Sequence, residues 1–565
     1  MGSGHVLVYA FDVLLELYRA EGYTDREAAE LIISKNLYGL EIDKRAYQLA
    51  YFAIMMKGRQ HSRRILSKDI RLNLHQFINM DQLSNDYLER LMEQSDLSKE
   101  DFEKQAEHLN HLVSSFHRGE EIGAILRLDG FQLSDIEQLS NLVNEYSSFS
   151  NMDILYGLPE IHENIKHILA IAKILLQKYA AVVTNPPYLN KMSTVLGKYV
   201  VDNYKDVKTD LFSVFIKMNS NMLVNGGYAG FMTPFVWMFI KSYEELRAFL
   251  INNKSISSLI QMEYSAFEEA TVPVCSFVIK NSKTEIIGNY FKLSDFRGGM
   301  QVQKEKVLEG IMNPTVDYFY QTDQRNFTKI PGSPISFWVS ENIVEIFANS
   351  KTISTISFPK QGLKTGDNDR FLRYWFETSL LNTSFYCSSV EEAQTNHNKW
   401  FRTTKGGAFK KWYGNLDYLI NWENNGEEIK NFKDSKGKLR SRPQNLEFLF
   451  KKGLTWSTLS SGDISFRYHD GGIFESKGSV LFCIKNTDFN LIFGYLNSAI
   501  VKTLLSALTP TLDYSEGGIG KLPIIFPQKK EKERVTFLVN ENIKLSKIDY
   551  DTTEYSWQFK SNPLI

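Results

Sequence analysis

Ala181-Val182-Val183-Thr184-Asn185-Pro186-Pro187-Tyr188 is the stretch on which the reading of this chain turns. The apolar run from Tyr179 to Thr184 predicts a buried parallel strand, and Asn-Pro-Pro-Tyr ends it abruptly. Two successive prolines fix φ and remove two backbone donors. The strand cannot continue, and its last carbonyls are left free to accept hydrogen bonds. Such a corner suits a particular chemistry. An exocyclic amine on an aromatic ring is a poor nucleophile because its lone pair is delocalised into the ring. Two acceptors, the Asn185 side-chain oxygen and the Pro186 carbonyl, would hold both N–H groups and favour a pyramidal nitrogen. Tyr188 would stack on the ring face, as aromatic residues do with bases taken out of a duplex. No base is needed before attack, since the proton leaves an already cationic product. The motif therefore points to alkyl transfer to an amino or amide nitrogen, and the structural alternative is a Pro-Pro turn closing a core strand.

Around this corner the elements alternate. A helix over Ile161 to Lys178 leads into the strand. A helix over Thr209 to Leu223, a strand over Tyr228 to Met232, a helix over Lys241 to Ile251 and strands over Ile256 to Met262 and Val274 to Lys280 follow. This order predicts an α/β doubly wound sheet whose last strands run antiparallel. Upstream, Met1-Gly2-Ser3-Gly4-His5 feeds an apolar helical run ending near Gly22. A Gly-x-Gly turn at a helix start lets backbone approach a ligand and aims free N–H groups at negative charge. The strand Leu37 to Ile42 ends in Glu41-Ile42-Asp43, an acidic position that would grip a ribose diol in a nucleotide-type fold.

Two other textures flank these segments. Residues 62–161 are polar and mostly helical, an expected insertion on the sheet edge in which no chemistry is evident; His108, His111 and His117 read as surface residues. From 331 to 565, aromatics, glycines and basic residues alternate in short runs. Between Thr395 and Gly453 thirteen Lys or Arg face six Asp or Glu, in a chain whose net charge is −1. A local basic excess interleaved with aromatics suits phosphate and base contact. The expected contacts are Lys364, Thr365, Asp367, Asn368, Arg370, Arg402, Lys405, Lys410 and Lys411.

The 565 residues, 43% of them hydrophobic, provide for several cores. No eighteen-residue apolar window or leader pattern is present, so the chain reads as cytoplasmic with no membrane partner. Cys275, Cys387 and Cys483 are far apart with apolar neighbours and read as buried free thiols. The ten histidines show no paired-ligand spacing, so no metal site is expected.

Taken together, Gly-Ser-Gly-His, Asn36-Leu37-Tyr38-Gly39-Leu40-Glu41-Ile42-Asp43-Lys44-Arg45-Ala46, Asn185-Pro186-Pro187-Tyr188, Gly362-Leu363-Lys364-Thr365-Gly366-Asp367-Asn368 and Asn421-Trp422-Glu423-Asn424 resemble one family in their order. It is that of the PglX-like adenine-specific DNA methyltransferases of BREX phage-defence systems, related to type IIG restriction-modification enzymes. The likeness spans nearly the whole chain apart from Ser62 to Ile161. It implies a Rossmann-like class I methyltransferase sheet, S-adenosylmethionine as methyl donor, double-stranded DNA as substrate and other BREX proteins as partners. Gly2, Ser3 and Gly4 would lie at the methionine end and Glu41, with Asp43 beside it, at the ribose. Phe267, after a late strand, would face the other side of a flipped adenine. Residues 1–61 would be part of the donor-binding region, 62–161 the helical insertion, 162–330 the catalytic part and 331–565 an α/β target-recognition domain. The family's donor loop reads Asp-Pro-Ala-Cys-Gly-Ser-Gly on the first strand of the sheet, and here Met1 stands after the first four of those residues. A missing first strand, restored by a separate N-terminal fragment, is therefore expected. Two other readings stay open: a DNA-binding subunit without catalysis, and a protein glutamine methyltransferase, whose amide nitrogen suits the same acceptors. No Pro-Cys loop supports cytosine chemistry, and no nuclease cluster stands out.

Overall fold

The computed structural model describes residues 1–565 except 265–271, 284–286, 461, 510–512 and 563–565. Phe267 therefore lies outside the described residues. The chain divides into two compact units, Met1–Gln324 and Arg325–Ile565; this boundary falls shortly before the change of sequence texture at 330/331.

The first unit holds two sheets. The larger runs β3 (Tyr179–Thr184), β4 (Leu223–Pro234), β6 (Val274–Lys280), β5 (Ser255–Gln261), β7 (Ile287–Lys292) and β8 (Phe319–Asp323) in spatial order. β3 and β4 are parallel, and β6 is antiparallel to both of its neighbours, as the late hairpin signature predicts. Phe277 in β6 shows why this strand is central. It is 1% exposed, stacked on Phe231 at 5.1 Å and tilted against Trp237 at 4.9 Å.

The smaller sheet pairs β1 (Tyr38–Glu41) with β2 (Asn73–Gln76) in parallel. β2 lies within residues 62–161, whose other described elements are helical as the sequence suggests. A four-residue strand is too short to show a period, and only the alternation of Leu72 and Leu74 marks it. The helix His5–Ala20 packs Phe11 and Leu15 with Ala28, Ile33, Ile54 and Leu74 into a core beside these strands. The helices Asn85–Gln94, Lys99–Ser115, Leu133–Glu145 and Leu158–Leu176 build a separate core around Tyr87, Leu109, Leu139 and Ile165.

Among the described residues the two sheets of the first unit are not joined. β1 has β2 on one side, β3 has β4 on one side, and among the described residues no strand lies between β1 and β3. The first residues of the two strands nevertheless meet, with the rings of Tyr38 and Tyr179 edge to face at 5.4 Å. Expected to be buried, β3 is not: Ala180, Ala181 and Val183 are exposed. A parallel strand with one neighbour cannot bury both faces and both edges, whatever its composition.

Besides the short antiparallel pair of Lys351–Thr352 with Pro523–Ile524, the described residues of the second unit form two mostly antiparallel sheets with helices, consistent with the α/β expectation. One sheet orders Ser357–Lys360, Val480–Cys483, Gly453–Trp456 and Phe466–His469; the other joins Leu372–Tyr374, Tyr418–Asn421, Trp400–Thr404 and Thr383–Ser384. The long helix Lys529–Asp551 contributes Val539 to the core of the first sheet, beside Phe493. Cys275 and Cys387 are buried free thiols, whereas Cys483, at the end of its strand, is only partly buried. No single described helix is long and apolar enough to cross a membrane.

Candidate functional site

At the end of β3, Asn185, Pro187 and Tyr188 are exposed and Pro186 is buried. The Tyr188 hydroxyl donates to Asn185 Oδ1 at 3.2 Å and is also placed 3.3 Å from the Met232 carbonyl at the end of β4. Burial pushes the Tyr188 phenol up to about 12, so it stays protonated and remains a donor at neutral pH. Its ring meets Phe212 edge-on at 6.4 Å, and Phe212 stacks on Tyr243 at 5.5 Å. Among the described residues nothing donates to the Pro186 carbonyl, and only Tyr188 donates to Asn185 Oδ1. Among the described residues the corner thus holds a Pro186 carbonyl that accepts no hydrogen bond and a Tyr188 that is 39% exposed.

The glycine turn and the acidic strand end also come together. Gly4, with φ 93°, starts the helix His5–Ala20 and packs so closely that an added Cβ would stand 2.9 Å from Ala50 Cα. Glu41 closes the turn from the other side. Its Oε2 accepts from the Gly2 amide at 2.7 Å and pairs with the Met1 ammonium at 3.3 Å, while Oε1 accepts from the Ile42 and Asp43 amides at 3.0 and 3.2 Å. Burial works against the Glu41 charge, but the ammonium and these amides outweigh it and hold the carboxyl below its usual range. Asp43 is occupied differently: its Oδ1 caps the helix Lys44–His61 through the Arg45 and Ala46 amides at 2.8 and 2.9 Å. Ser3 turns to His5, Oγ to Nδ1 at 3.0 Å.

Residues 119–127 reach from the end of β1 to the helix Thr194–Asn203 and its flanks. An added Cβ on Gly123 would touch Ile42 at 2.7 Å; Glu121 pairs with Ser193, the Ile125 carbonyl accepts from Tyr204 at 2.7 Å, and the Arg127 amide donates to Tyr199 at 2.8 Å. This region thus braces the residue after β1 against the helix Thr194–Asn203 and its two ends. Sequence reading missed it because each contact is made by a single polar or small residue. His117 pairs with Asp81, and His108 and His111 face Phe131.

In the second unit the expected nucleic-acid residues divide. Lys364, Asn368 and Lys411 are exposed, Thr365 is buried with its hydroxyl on Asn368 at 2.6 Å, and Asp367 caps the short turn Asn368–Phe371. Arg370 pairs with Glu428 at 2.6 Å and Arg402 with Asp470 at 2.8 Å, so both are neutralised within the unit. Lys405 and Lys410 lie over the rings of Tyr418 and Tyr550 at 4.4 and 4.8 Å, and Lys411 donates to the Asn497 carbonyl at 2.9 Å.

A different cluster is freer. Lys433, Lys436, Lys438, Arg440 and Arg442 are exposed on a hairpin turned by Asp434, and the Arg442 backbone pairs with that of Lys364. The sequence signal was present in Lys433-Asp434-Ser435-Lys436-Gly437-Lys438, basic residues around a turn.

Known proteins with these features can now be compared. Residues 35–267 match the family model of the Eco57I restriction-modification methylase. The whole chain is 35% identical over 576 aligned residues to the adenine-specific methyltransferase PglX of Lacticaseibacillus casei (strain Zhang). It is 30% identical over 598 residues to the adenine-specific methyltransferase BrxX of Escherichia coli O9:H4 (strain HS). It spans 46% of the length of each. Among solved structures, the type IIL restriction-modification enzyme MmeI in complex with DNA matches all of this chain and 66% of its own, at 12% identity and a TM-score of 0.53. A nuclease-deletion mutant of the type ISP enzyme LlaGI, with a DNA substrate mimic, matches 96% of this chain and 44% of its own, at 12% identity and a TM-score of 0.52. These two likenesses are of fold. By sequence along its entire length, the chain is a relative of the adenine-specific methyltransferases PglX and BrxX, spanning about half the length of each.

Proposed function

We propose that the chain carries the methyl-acceptor site and the target-recognition part of a site-specific DNA N6-adenine methyltransferase of phage defence. The observation that supports this best is the pair of acceptors, Asn185 Oδ1 and the Pro186 carbonyl, beside the open Tyr188 face at the end of β3. A flipped adenine would replace the Tyr188 hydroxyl at Asn185 and donate its amino hydrogens to the two oxygens. Phe267 would cover the second face of the base.

The fit to S-adenosylmethionine rests on the left-handed Gly4 at a helix start and the half-buried Glu41 carboxylate. Gly2, Ser3 and Gly4 would hold the amino-acid end of the donor, and Glu41, with Asp43 next to it, the ribose. The Glu41 carboxylate would exchange its Met1 and Gly2 donors for the diol. Bound there, the donor would supply a methyl group from its sulfonium, which departs as a neutral thioether. This chain's residues hold the accepting nitrogen in place and need no general base before transfer.

We also infer that a further parallel strand, from polypeptide outside this chain, completes the sheet between β1 and β3. The unpaired edges and the exposed Ala181 and Val183 support this. The isolated chain then binds donor weakly, and calorimetry showing micromolar affinity for S-adenosylmethionine without an added fragment would overturn the idea. DNA would lie on the second unit, with the hairpin Lys433–Arg442 and Lys364 as phosphate contacts beside Arg370, Arg402, Lys405, Lys410 and Lys411. Other BREX proteins are the expected partners in defence, and the site of action is the cytoplasm.

The test is methyl incorporation from labelled donor into unmethylated DNA and into glutamine-containing protein, with and without an added N-terminal fragment. Label in adenine supports the reading. Label in protein glutamine supports the rival enzyme, and DNA binding with no transfer under either condition supports the non-catalytic subunit.

A further inference from the structure

Tyr188 is followed by a residue gripped at both of its backbone groups. The Leu189 amide donates to Asp210 Oδ1 at 2.9 Å, and the Leu189 carbonyl accepts from the Leu211 amide at 3.1 Å. Asp210 is the N-cap of the helix Leu211–Asn221, and the same Oδ1 accepts from the Phe212 amide at 3.3 Å. Asp210 is itself anchored. Ser213 Oγ donates to the carbonyls of Val207 and Asp210 at 2.5 and 2.6 Å, and Thr209 Oγ1 donates to the Ser242 carbonyl at 3.0 Å.

The residue is 7% exposed, and among the described residues no lysine or arginine pairs with it. Burial pushes its carboxyl up against the pull of the Leu189, Phe212 and Leu211 amides. A desolvated carboxylate without a cation is costly, and a helix cap alone does not call for one, since serine or asparagine caps as well. What distinguishes this cap is its reach to Leu189, outside the helix. Phe212, on which the Tyr188 ring rests, lies two residues beyond it, so one helix end supplies both the anchor for the backbone and the seat for the ring.

We propose that Asp210 is a positioning residue for the transfer step. By holding the Leu189 amide it keeps the Tyr188 ring seated against Phe212, with its face where the base would stack. It touches neither base nor donor. The proposal rests on the functional reading above for its catalytic consequence, but its geometry can be tested separately.

The test compares Asp210→Ala with Asp210→Asn in the full chain by amide hydrogen exchange and by methyl incorporation into unmethylated DNA with the added N-terminal fragment. Pro186 and Pro187 carry no amide, so a peptide covering this corner reports Tyr188, Leu189 and Asn190 after them. Asparagine keeps the accepting oxygen and should leave exchange and turnover near wild type. Alanine should speed exchange in that peptide about tenfold or more, leave peptides from β6 unchanged, and lower kcat by about a hundredfold with unchanged half-saturating DNA. Wild-type exchange in Asp210→Ala would overturn the proposal. So would faster exchange spread equally over β6, which marks a support of the whole fold, or Asp210→Asn as inactive as Asp210→Ala with its Leu189 amide still protected. If the wild type transfers no methyl groups while the exchange ranking holds, the clamp stands and the functional reading fails.

Discussion

β3 and β6 are both short apolar strands of one sheet, Tyr-Ala-Ala-Val-Val-Thr and Val-Cys-Ser-Phe-Val-Ile-Lys, yet they live in opposite surroundings. β6 has strands on both sides, and Val274, Cys275, Phe277 and Ile279 are buried. β3 has one neighbour, and Val183 is 58% exposed. Composition says that a strand forms; the neighbours decide whether it is covered. The proposed acceptor site sits at the end of the less protected strand, where no described residue donates to the Pro186 carbonyl. A fully paired strand such as β6 has no carbonyls to spare.

The largest effect is expected at the corner itself. Asn185→Ala should lower methyl incorporation by about a hundredfold to a thousandfold with DNA affinity unchanged, measured by turnover and by titration of the same DNA. Loss of DNA affinity instead would move the residue from base capture to duplex contact. Next is packing. Phe277→Ala in β6 should cost about 3–5 kcal/mol by denaturant unfolding of the first unit. Val183→Ala in β3 should stay within about 0.5 kcal/mol in the isolated chain and cost more once the added fragment is bound. Equal costs in the isolated chain would mean that β3 is already covered.

On the second unit, replacing Lys433, Lys436 and Lys438 by alanine should weaken binding to all DNA sequences. It should also flatten the slope of log affinity against log salt by about 0.9 per lost phosphate contact. An unchanged slope would put the DNA elsewhere. The same change at Arg370 and Arg402 should flatten it less, since Glu428 and Asp470 already neutralise them. The smallest effect concerns β2, in the smaller sheet. His75 lies against His167 at 5.1 Å, and burial, with the neighbouring imidazole, lowers it from 6.5 to about 4. Its folded form resists protonation that the unfolded chain accepts. Its contribution is therefore complete above about pH 6.5 and is lost as the pH falls towards 4. Unfolding of the first unit followed across that range should show a decline that His75→Gln reduces, and an identical decline in the variant would assign it to other groups.

Much of this was legible in the sequence because it is carried by local rules. The prolines after Thr184 end β3 where they must, the Asp43 cap starts its helix, and the antiparallel β6 follows from its flanking turns. What was hidden depends on partners far along the chain. β2 is four residues long and is recognisable only once β1 is beside it. The brace at 119–127 acts through isolated contacts to Ile42, Ser193 and Tyr204. The exposure of β3 depends on which strands lie beside it, which no pattern within Tyr179–Thr184 can express. Asp210 was half legible: Thr209-Asp210 before an apolar helix is an N-cap signal, but its reach to Leu189 is not. The nucleic-acid residues were read from basic residues interleaved with aromatics and polar turns, a pattern that does not reveal that Arg402 already has Asp470.

The most direct measurement is nucleoside mass spectrometry of unmethylated DNA incubated with S-adenosylmethionine, the chain and the added N-terminal fragment, wild type against Asn185→Ala. N6-methyladenine from the wild type alone is the predicted result. Equal amounts from both proteins, or methylation of any other base, would contradict the account.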